Sequence, residues 1–357
     1  CEAAFMGVAD EFERNFRERD EVGASVCIRH EGRTVVDLWG GIARPADGTP
    51  WQRDTVSIVF SCTKGAVALC AHVLASRGKL DVDAPVASYW PEFARKGKEY
   101  ATVRMMLDHS VGVPAFKTPL RPGGCTDWDY MVEMLADEEP FWFPGTRNGY
   151  HMINFGWTVG ELVRRVSGRS LGAFFRDEIA GPPGIEFLIG TPEEVEPSVS
   201  PMMMHAPKPG DPIGEFMMKI MTDPRSTQAL SLLNTGGFDP NSRACHAAEI
   251  GGGGGISNAR GLAGMYAPLA CGGELGGVRL VDRAQLARMG EVSVATNEDA
   301  TLLIPTRFSL GFMKSMDNRR RPRCDRDSAI LSSAAFGHVG AGGSIGFADP
   351  AEGMSLG

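Results

Sequence analysis

The stretch CTKGAVALCAHVLAS, from Cys62 to Ser76, limits the possible folds of this chain more than any other segment does. It is an uninterrupted, mostly apolar run of helix formers, and Gly78 just beyond it is typical of a helix C-terminus. A helix of this character has to be enclosed by other elements. The sequence therefore predicts a large core around it, and a chain of 357 residues with 43% hydrophobic residues is long enough to supply one.

Segments with β character occur near both ends of the chain. ASVCIRH and TVVDLWG flank Glu31-Gly32, which predicts a hairpin, and TVSIVF leads directly to Ser61. GGVRL, TRFSLGFM and HVGAGGSIGFADP lie near the other end. Helical segments such as TDWDYMVEMLAD and FGWTVGELVRRVSG fill the middle. We expect an α/β (α+β) fold in which the two chain ends share one sheet and a mostly helical block is inserted between them.

This pattern predicts two subdomains. Residues 1–80 together with 245–357 would form the α/β subdomain, and residues 81–244 the mostly helical one. The Pro-, Met- and Gly-rich segment near 190–244 is expected to lie over the protein as a cap. We expect the active site between the two subdomains.

Composition excludes several classes of protein. The net charge of -8 comes without a long basic run, so no nucleic-acid partner is expected. No stretch has the length of a membrane span, and the seven His residues form no H-E-x-x-H or similar metal motif. Eight Cys residues without a C-x-x-C pattern favour a reduced, cytoplasmic environment. Because the chain begins at Cys1 rather than Met, a preceding signal stays open, and we expect more of the last strand and a helix beyond Gly357.

Ser61 and Lys64 form a candidate nucleophile and base. Their spacing of three places both side chains on one face of the predicted helix, in its first turn. Free N–H groups and the positive end of the helix dipole stabilise negative charge there, and the amine can take the proton of the hydroxyl. On this pattern alone, Ser61 as an ordinary N-cap stays open. A second Ser-x-x-Lys, Ser76 to Lys79, falls at the helix C-terminus, where the dipole disfavours an alkoxide.

Two glycine-rich segments partly fit motifs of functional sites, but we expect a structural role for both. GGGGG at Gly251–Gly255 lacks the Lys-Ser/Thr of a phosphate-binding loop, so a flexible approach to the next helix is expected. GGSIG at Gly342–Gly346 fits the G-x-S-x-G nucleophile elbow, but no His follows Ser344, and a tight turn is expected instead.

Five segments in chain order carry a resemblance to a known family: SCTK at Ser61, MLDHSVGVP, PGTRNGYHMINFGWTVGELV, SNARGLA and GHVGAGGSIGFADP. Together they resemble the serine β-lactamase and penicillin-binding-protein superfamily. The chain is most similar to the family VIII carboxylesterases, which have the class C β-lactamase fold. The resemblance covers nearly the whole chain and implies a β-lactamase/transpeptidase-like fold with an antiparallel sheet flanked by helices.

The resemblance also implies roles for individual residues. Ser61 would attack an ester carbonyl, and Lys64 and Tyr150 would share the proton transfers. The backbone N–H groups of Ser61 and Ala341 would form the oxyanion hole, where Gly340 permits close approach. An ammonium about 4 Å from Tyr150 would lower the pKa of the phenol by about three units, whereas desolvation would raise it. The sequence therefore leaves open which of Lys64 and Tyr150 holds the proton.

Two departures from the β-lactamase pattern bear on the substrate. Met152 stands where those enzymes have an Asn that hydrogen-bonds the substrate. His338 stands where they have the Lys of Lys-Thr-Gly, so a largely neutral imidazole replaces a fixed positive charge. With Gly340, these are the expected substrate-binding residues. Both departures favour neutral esters with short acyl chains over penicillins and cephalosporins. His109 and His151 also lie in the resembling segments and are expected to be structural.

The resulting hypothesis is a serine carboxylesterase that acts through an acyl-enzyme, uses no cofactor and takes a small-molecule ester as its partner. One alternative within the superfamily is a β-lactamase or a D-Ala peptide hydrolase or transpeptidase. The other is a catalytically silent homologue that binds a ligand. The sequence does not indicate an oligomeric state.

Overall fold

The computed structural model describes residues 1–204, 210–322, 326 and 329–357. None of the helices in these ranges combines the length and the apolarity needed to cross a bilayer. The α-helices are α1 (Met6–Glu18), α2 (Cys62–Ser76), α3 (Val103–Leu107), α4 (Trp128–Asp137), α5 (Phe155–Ser167), α6 (Leu171–Phe175), α7 (Glu215–Thr222), α8 (Thr227–Leu233), α9 (Arg243–Ala247), α10 (Ala259–Ala270) and α11 (Arg283–Gly290).

Most strands are short. They are β1 (Gly23–His30), β2 (Arg33–Arg44), β3 (Thr49–Pro50), β4 (Val56–Ile58), β5 (Phe187–Leu188), β6 (Val199–Ser200), β7 (Ile256–Ser257), β8 (Glu274–Leu275), β9 (Val278–Arg279), β10 (Val294–Thr296), β11 (Thr306–Phe308), β12 (Met313–Lys314), β13 (Phe336–Val339), β14 (Ile345–Asp349) and β15 (Met354–Leu356).

The main sheet joins the two ends of the chain. Its order is β10-β11-β12-β13-β14-β15-β1-β2-β3, and its neighbouring strands are antiparallel. The strands β1 and β15 pair with Ile28 opposite Leu356, and the backbones of Cys27 and Gly357 exchange two hydrogen bonds of 2.9 Å. The predicted fold class, with a sheet formed by both chain ends and flanked by helices, is confirmed.

A smaller sheet contains β4, the strand that precedes α2 in the chain. Its order is β5-β7-β4-β6, in which β4 pairs antiparallel with β7 and parallel with β6. Val56 and Ile58 of β4 are buried, and with Val199 and Ile256 they form an apolar cluster. This packing fixes the strand that ends just before Ser61.

Helix α2 lies at the centre of the core, as its apolar sequence predicts. Residues 62–74 are all buried, and the helix packs against α5, α6, α11 and β13. Its observed bounds, Cys62–Ser76, agree with the predicted ones. Because residues 62–74 are removed from solvent, any polar side chain among them must find partners inside the protein.

The helices α3 to α8 lie within residues 81–244, where the mostly helical block was expected. In the cap-like segment 190–244 the structure contains β6, α7 and α8, and residues 205–209 of that segment lie outside the described residues. The division into two subdomains stays a prediction.

The five glycines from Gly251 to Gly255 contradict the expectation of a flexible approach to the next helix. All five are buried, and they pack against the start of α5. A Cβ on Gly156 would overlap the backbone nitrogen of Gly252, and a Cβ on Gly252 would overlap the carbonyl oxygen of Ile153. The glycines therefore permit two backbones to touch, a requirement that the composition of the segment does not reveal.

We predict that Gly156→Ala destabilises the fold. The added methyl group meets backbone atoms, which cannot rotate away, so the free energy of unfolding should fall by about 1–3 kcal/mol. The matched control is Gly7→Ala in the exposed α1, where no atom lies within 4 Å of the added Cβ. That variant should be neutral or up to about 1 kcal/mol more stable. Urea unfolding measures both, and equal stabilities would contradict the close packing.

Candidate active site

A strained turn places Ser61 at the partly exposed start of the buried helix α2. Strand β4 ends at Ile58, Phe60 has a positive φ of 42°, and Ser61 immediately precedes α2. A positive φ is uncommon for an aromatic residue and indicates that the surroundings hold it there. The carbonyl of Phe60 accepts hydrogen bonds from the backbone N–H (2.9 Å) and the hydroxyl (2.5 Å) of Thr63. The turn leaves Ser61 partly exposed while the helix behind it is buried.

The amine of Lys64 faces the hydroxyl of Ser61 from inside the core. Its Nζ lies 2.8 Å from Ser61 Oγ, 2.5 Å from the carbonyl oxygen of Met152 and 2.6 Å from that of Gly252. The side chain is completely buried, and this desolvation lowers the pKa of Lys64 well below its usual value. The two carbonyl oxygens can only accept hydrogen bonds, so they hold the amine in place beside the Ser61 hydroxyl.

Tyr150 is the third member of the group that the resemblance predicts. Lys64 Nζ lies 4.7 Å from the centroid of its ring, so the structure brings Ser61, Lys64 and Tyr150 together. The ring is buried, stacks on Phe308 with centroids 5.9 Å apart and approaches the ring of His109 to 4.8 Å.

Asp299 anchors the backbone of Tyr150, and sequence reasoning missed it. Tyr150 lies outside any helix or strand, and its N–H donates to the two carboxylate oxygens of Asp299 at 2.9 and 3.1 Å. The same carboxylate accepts hydrogen bonds from the N–H groups of Thr301 and Leu302 and from the hydroxyl of Thr306. Burial raises the pKa of Asp299, and the hydrogen bonds act against that rise. A single Asp between short strands gives no sequence signal for this role.

Two buried histidines hold the chain on either side of Tyr150. His151 Nε2 accepts the N–H of Val113 at 3.1 Å, so the proton is on Nδ1, which donates to the carbonyl of Gly149 at 2.8 Å. The N–H of His151 donates to Nδ1 of His109 at 3.1 Å. Burial lowers the pKa of His151 to about 3 and that of His109 well below its usual value. Both imidazoles are therefore uncharged and bond the backbone, in agreement with the expected structural role.

The two expected oxyanion donors lie on segments that touch. A Cβ on Gly340 would overlap the carbonyl oxygen of Val59, so this glycine lets the end of β13 approach the turn before Ser61. Ala341 begins an exposed 3-10 turn, Ala341–Gly343. Among the described residues, the N–H groups of Ser61 and Ala341 donate to no protein atom. They are the two amides that the family pattern assigns to the oxyanion hole.

The expected substrate-binding residues occupy different positions. His338 is buried, with its ring centroid 6.0 Å from that of Tyr150, and burial and the nearby Lys64 lower its pKa to about 3. Met152 gives its carbonyl to Lys64, and its side chain is half-buried. Gly340 contributes close backbone packing. Their contact with substrate stays a prediction.

An apolar cluster packs around the strand that leads to Ser61. Phe60, Met202 and Phe238 pack on the cluster formed by β4, β6 and β7, and Phe60 directly precedes Ser61. In the described part of the chain, no group of three His, Cys, Asp or Glu side chains is placed to hold a metal ion.

Ser76 and Ser344, the other two serines that fit nucleophile motifs in the sequence, lie in hydrogen-bonded parts of the fold. Ser76 ends α2, where its hydroxyl lies 3.1 Å from a carboxylate oxygen of Asp282 and accepts the N–H of that residue. Ser344 follows the 3-10 turn, and its carbonyl accepts the N–H of Gly340.

Known proteins match this chain along nearly its whole length. The family described as Beta-lactamase matches residues 10–357. Esterase/beta-lactamase LipL of Mycobacterium tuberculosis is 32% identical, over 99% of this chain and 80% of that protein. A crystal structure of a family VIII carboxylesterase is 36% identical with a TM-score of 0.86, and a penicillin-binding protein homologue from Caulobacter crescentus is 31% identical with a TM-score of 0.87. Each structural match covers 100% of this chain and 91% of the other.

We predict that the stability of the wild type rises with pH relative to Lys64→Met. Since the folded pKa of Lys64 is lowered, the unfolded chain binds more protons at this residue between the folded pKa and about 10.4. The wild type should therefore gain up to about 1.4 kcal/mol per pH unit over the variant as pH approaches 10. Urea unfolding at pH 7, 8 and 9 measures this difference. Lys79→Met removes an exposed lysine as a control, and parallel curves for wild type and Lys64→Met would contradict the lowered pKa of Lys64.

We also predict that Asp299→Asn lowers kcat for p-nitrophenyl butyrate, because the amide presents an N–H₂ group to backbone donors and shifts Tyr150. The loss should be about 10- to 100-fold and mainly in kcat. Glu298→Gln, at the exposed neighbouring position, is the control and should stay near wild type. Urea unfolding verifies that both variants are folded. A folded Asp299→Asn protein with wild-type kcat would remove Asp299 from the site.

Proposed function

This chain belongs to the Beta-lactamase family, and we propose that it hydrolyses neutral carboxylic esters with short acyl chains through an acyl-enzyme on Ser61. Membership of the family and the esterases among its relatives support a serine hydrolase of this fold. The roles of individual residues and the ester substrate are our proposal.

One observation carries the proposal. The Lys64 amine is buried, burial lowers its pKa, and the carbonyls of Met152 and Gly252 hold it 2.8 Å from the Ser61 hydroxyl. A serine hydroxyl becomes a useful nucleophile only when a base of this kind can take its proton. An N-cap serine requires no buried amine within hydrogen-bond distance, so the arrangement favours the nucleophile over the N-cap.

Acylation follows from this geometry. As Ser61 Oγ attacks the ester carbonyl carbon, its proton passes to Lys64. The negative charge that develops on the carbonyl oxygen is stabilised by the N–H groups of Ser61 and Ala341, and the loss of one such donor typically lowers kcat by about a hundredfold or more. The intermediate then releases the alcohol, whose oxygen receives a proton through Lys64 and Tyr150. The acyl group remains on Ser61.

Deacylation reverses the proton movements with water as the nucleophile. A water molecule loses a proton to the Lys64 and Tyr150 pair as its oxygen attacks the acyl carbon, and the same two N–H groups stabilise the oxyanion. The carboxylic acid leaves as Ser61 Oγ regains its proton. Asp299 and the two buried histidines keep Tyr150 in position throughout by bonding its backbone segment.

The substrate class is inferred from charge and polarity around Ser61. His338 is uncharged because its pKa is lowered to about 3, so it offers no cation for a substrate carboxylate. Met152 offers a thioether in place of an amide. Phe60, which precedes Ser61 in the chain, packs on an apolar cluster. These features support a neutral substrate with a small apolar acyl group.

The principal alternative is hydrolysis of β-lactams or D-Ala peptides. It is favoured by the family description and by the similarity to a penicillin-binding protein homologue. The uncharged His338 weighs against it, because a substrate carboxylate would lie near an imidazole without a charge. The other alternative, a silent homologue that only binds a ligand, is disfavoured because Ser61, Lys64 and Tyr150 are all present and adjacent.

The test compares wild type and Ser61→Ala on p-nitrophenyl butyrate and nitrocefin. We expect the wild type to hydrolyse the ester far faster than nitrocefin, and Ser61→Ala to lose at least about a thousandfold of the ester activity. Intact-mass analysis after a phosphonate ester should find one covalent adduct, on the Ser61 peptide.

The controls are Ser76→Ala and Ser344→Ala, which should keep most of the activity because neither hydroxyl belongs to the proposed site. Full ester hydrolysis by Ser61→Ala would end the proposal. A wild type that prefers nitrocefin would establish the β-lactamase alternative, and a wild type that hydrolyses neither substrate and forms no adduct would favour the silent homologue.

A further inference from the structure

Two buried thiols from distant parts of the chain lie next to each other. Cys125 belongs to a 3-10 turn, Gly124–Thr126, and Cys245 lies in α9. Their sulfur atoms are 4.0 Å apart although 120 residues separate them in sequence, and their exposed fractions are 2% and 3%. A disulfide has an S–S distance of about 2.05 Å, so the two sulfurs have to approach by about 2 Å. A modest change in the side-chain torsion angles supplies such a movement.

The backbone already holds the two segments together. The N–H of Cys125 donates to the carbonyl of Gly236 at 3.2 Å. A Cβ on Gly236 would lie 2.8 Å from the nitrogen of Cys125, and a Cβ on Gly237 would lie 3.1 Å from that of Gly123. Both glycines have positive φ and fit against the turn only because they lack side chains. The contact between the segments therefore precedes any bond between the sulfurs.

Hydrogen bonding favours a thiolate at one sulfur of the pair. A hydrogen bond between the two sulfurs, in which either can donate, lowers the pKa of the sulfur that accepts it. The N–H of Asp239 also donates to Cys245 Sγ at 3.4 Å. Burial raises the pKa of other cysteines of the described chain, namely Cys27, Cys62, Cys70 and Cys271. The pair therefore offers the thiolate that oxidation by peroxide requires, together with a second thiol.

A cavity gives small molecules access to Cys125, one member of the pair. It has a volume of about 300 Å³, and its lining includes Cys125, Trp128, Asp129, Arg164 and Glu249. The side chain of Asp129 is 81% exposed, so the cavity opens to solvent. Hydrogen peroxide is little larger than water and can enter such a space.

We propose that Cys125 and Cys245 are a modification site at which hydrogen peroxide forms a reversible disulfide. The thiolate of one cysteine of the pair attacks one peroxide oxygen and becomes a sulfenic acid, while the other oxygen leaves as hydroxide. The sulfur of the second cysteine then attacks the sulfenic sulfur and displaces its oxygen, which leaves as water with the protons that the thiols release. The sum is two thiols and one hydrogen peroxide giving one disulfide and two waters. A dithiol reductant reverses the change.

The disulfide joins the turn before α4 to the helix that ends the cap-like segment 190–244. It closes a loop of 120 residues, and a crosslink over a loop of this length restricts mainly the unfolded chain. The oxidised protein should therefore melt roughly 5 °C higher than the reduced protein.

The experiment treats the reduced, full-length protein with hydrogen peroxide, blocks remaining thiols and maps peptides without reduction. We expect a peptide that links Cys125 to Cys245, a monomer 2 Da lighter before blocking, and loss of both on addition of dithiothreitol. The linked peptide should be absent from Cys125→Ser and Cys245→Ser and should persist in Cys271→Ser, the matched control.

A wild type in which peroxide oxidises other cysteines while Cys125 and Cys245 stay unlinked would overturn the proposal, as would an unchanged melting temperature in the linked protein. The wild-type map decides even where a serine variant does not fold. Because the readout is a bond and a melting temperature, it is independent of the proposed ester hydrolysis.

Discussion

The exclusion of water from the amine of Lys64 is the constraint on which the proposed site depends. The same apolar run that forces α2 into the core carries this lysine in with it, so burial lowers its pKa. An amine without water needs other acceptors for its hydrogens, and two backbone carbonyls provide them. The apolar character of the helix therefore both stabilises the fold and lowers the pKa of Lys64. Our proposal that this amine takes a proton from Ser61 depends on that burial.

Close backbone contacts place the other parts around this amine. Gly156 and Gly252 let the glycine-rich segment touch the start of α5, which brings a carbonyl to Lys64. Gly340 lets the end of β13 touch the turn before Ser61, and Ala341 is the next residue along the chain. In each case a Cβ would occupy space that another backbone fills, so the site is built largely from main-chain atoms whose partners lie far away in sequence.

Tyr150 shows how a side chain outside any helix or strand is held in place. Asp299 bonds its N–H, and His109 and His151 bond the backbone beside it. These groups are buried, and both imidazoles are uncharged, so neither needs a counter-ion inside the protein. The thiol pair of Cys125 and Cys245 follows the same logic, since glycines at 236 and 237 bring its two segments together.

Local sequence determined the elements of this protein, because helix propensity, apolar character and turn residues act over a few neighbouring positions. The helix at Cys62–Ser76, the hairpin turned at Glu31-Gly32 and the sharing of one sheet by both chain ends were predictable in this way. Resemblance to the family supplied Ser61, Lys64 and Tyr150 as candidates, and the structure brings them together, while their roles and the two-subdomain division stay predictions. The glycine-rich segment was wrongly expected to be flexible, and Asp299 was missed, because each acts through contacts with residues distant in sequence. Tertiary structure alone decided which carbonyls accept the hydrogens of Lys64, which carboxylate bonds Tyr150 and how far each amine and imidazole is removed from water. Those outcomes depend on distances and burial in three dimensions, which no single segment contains.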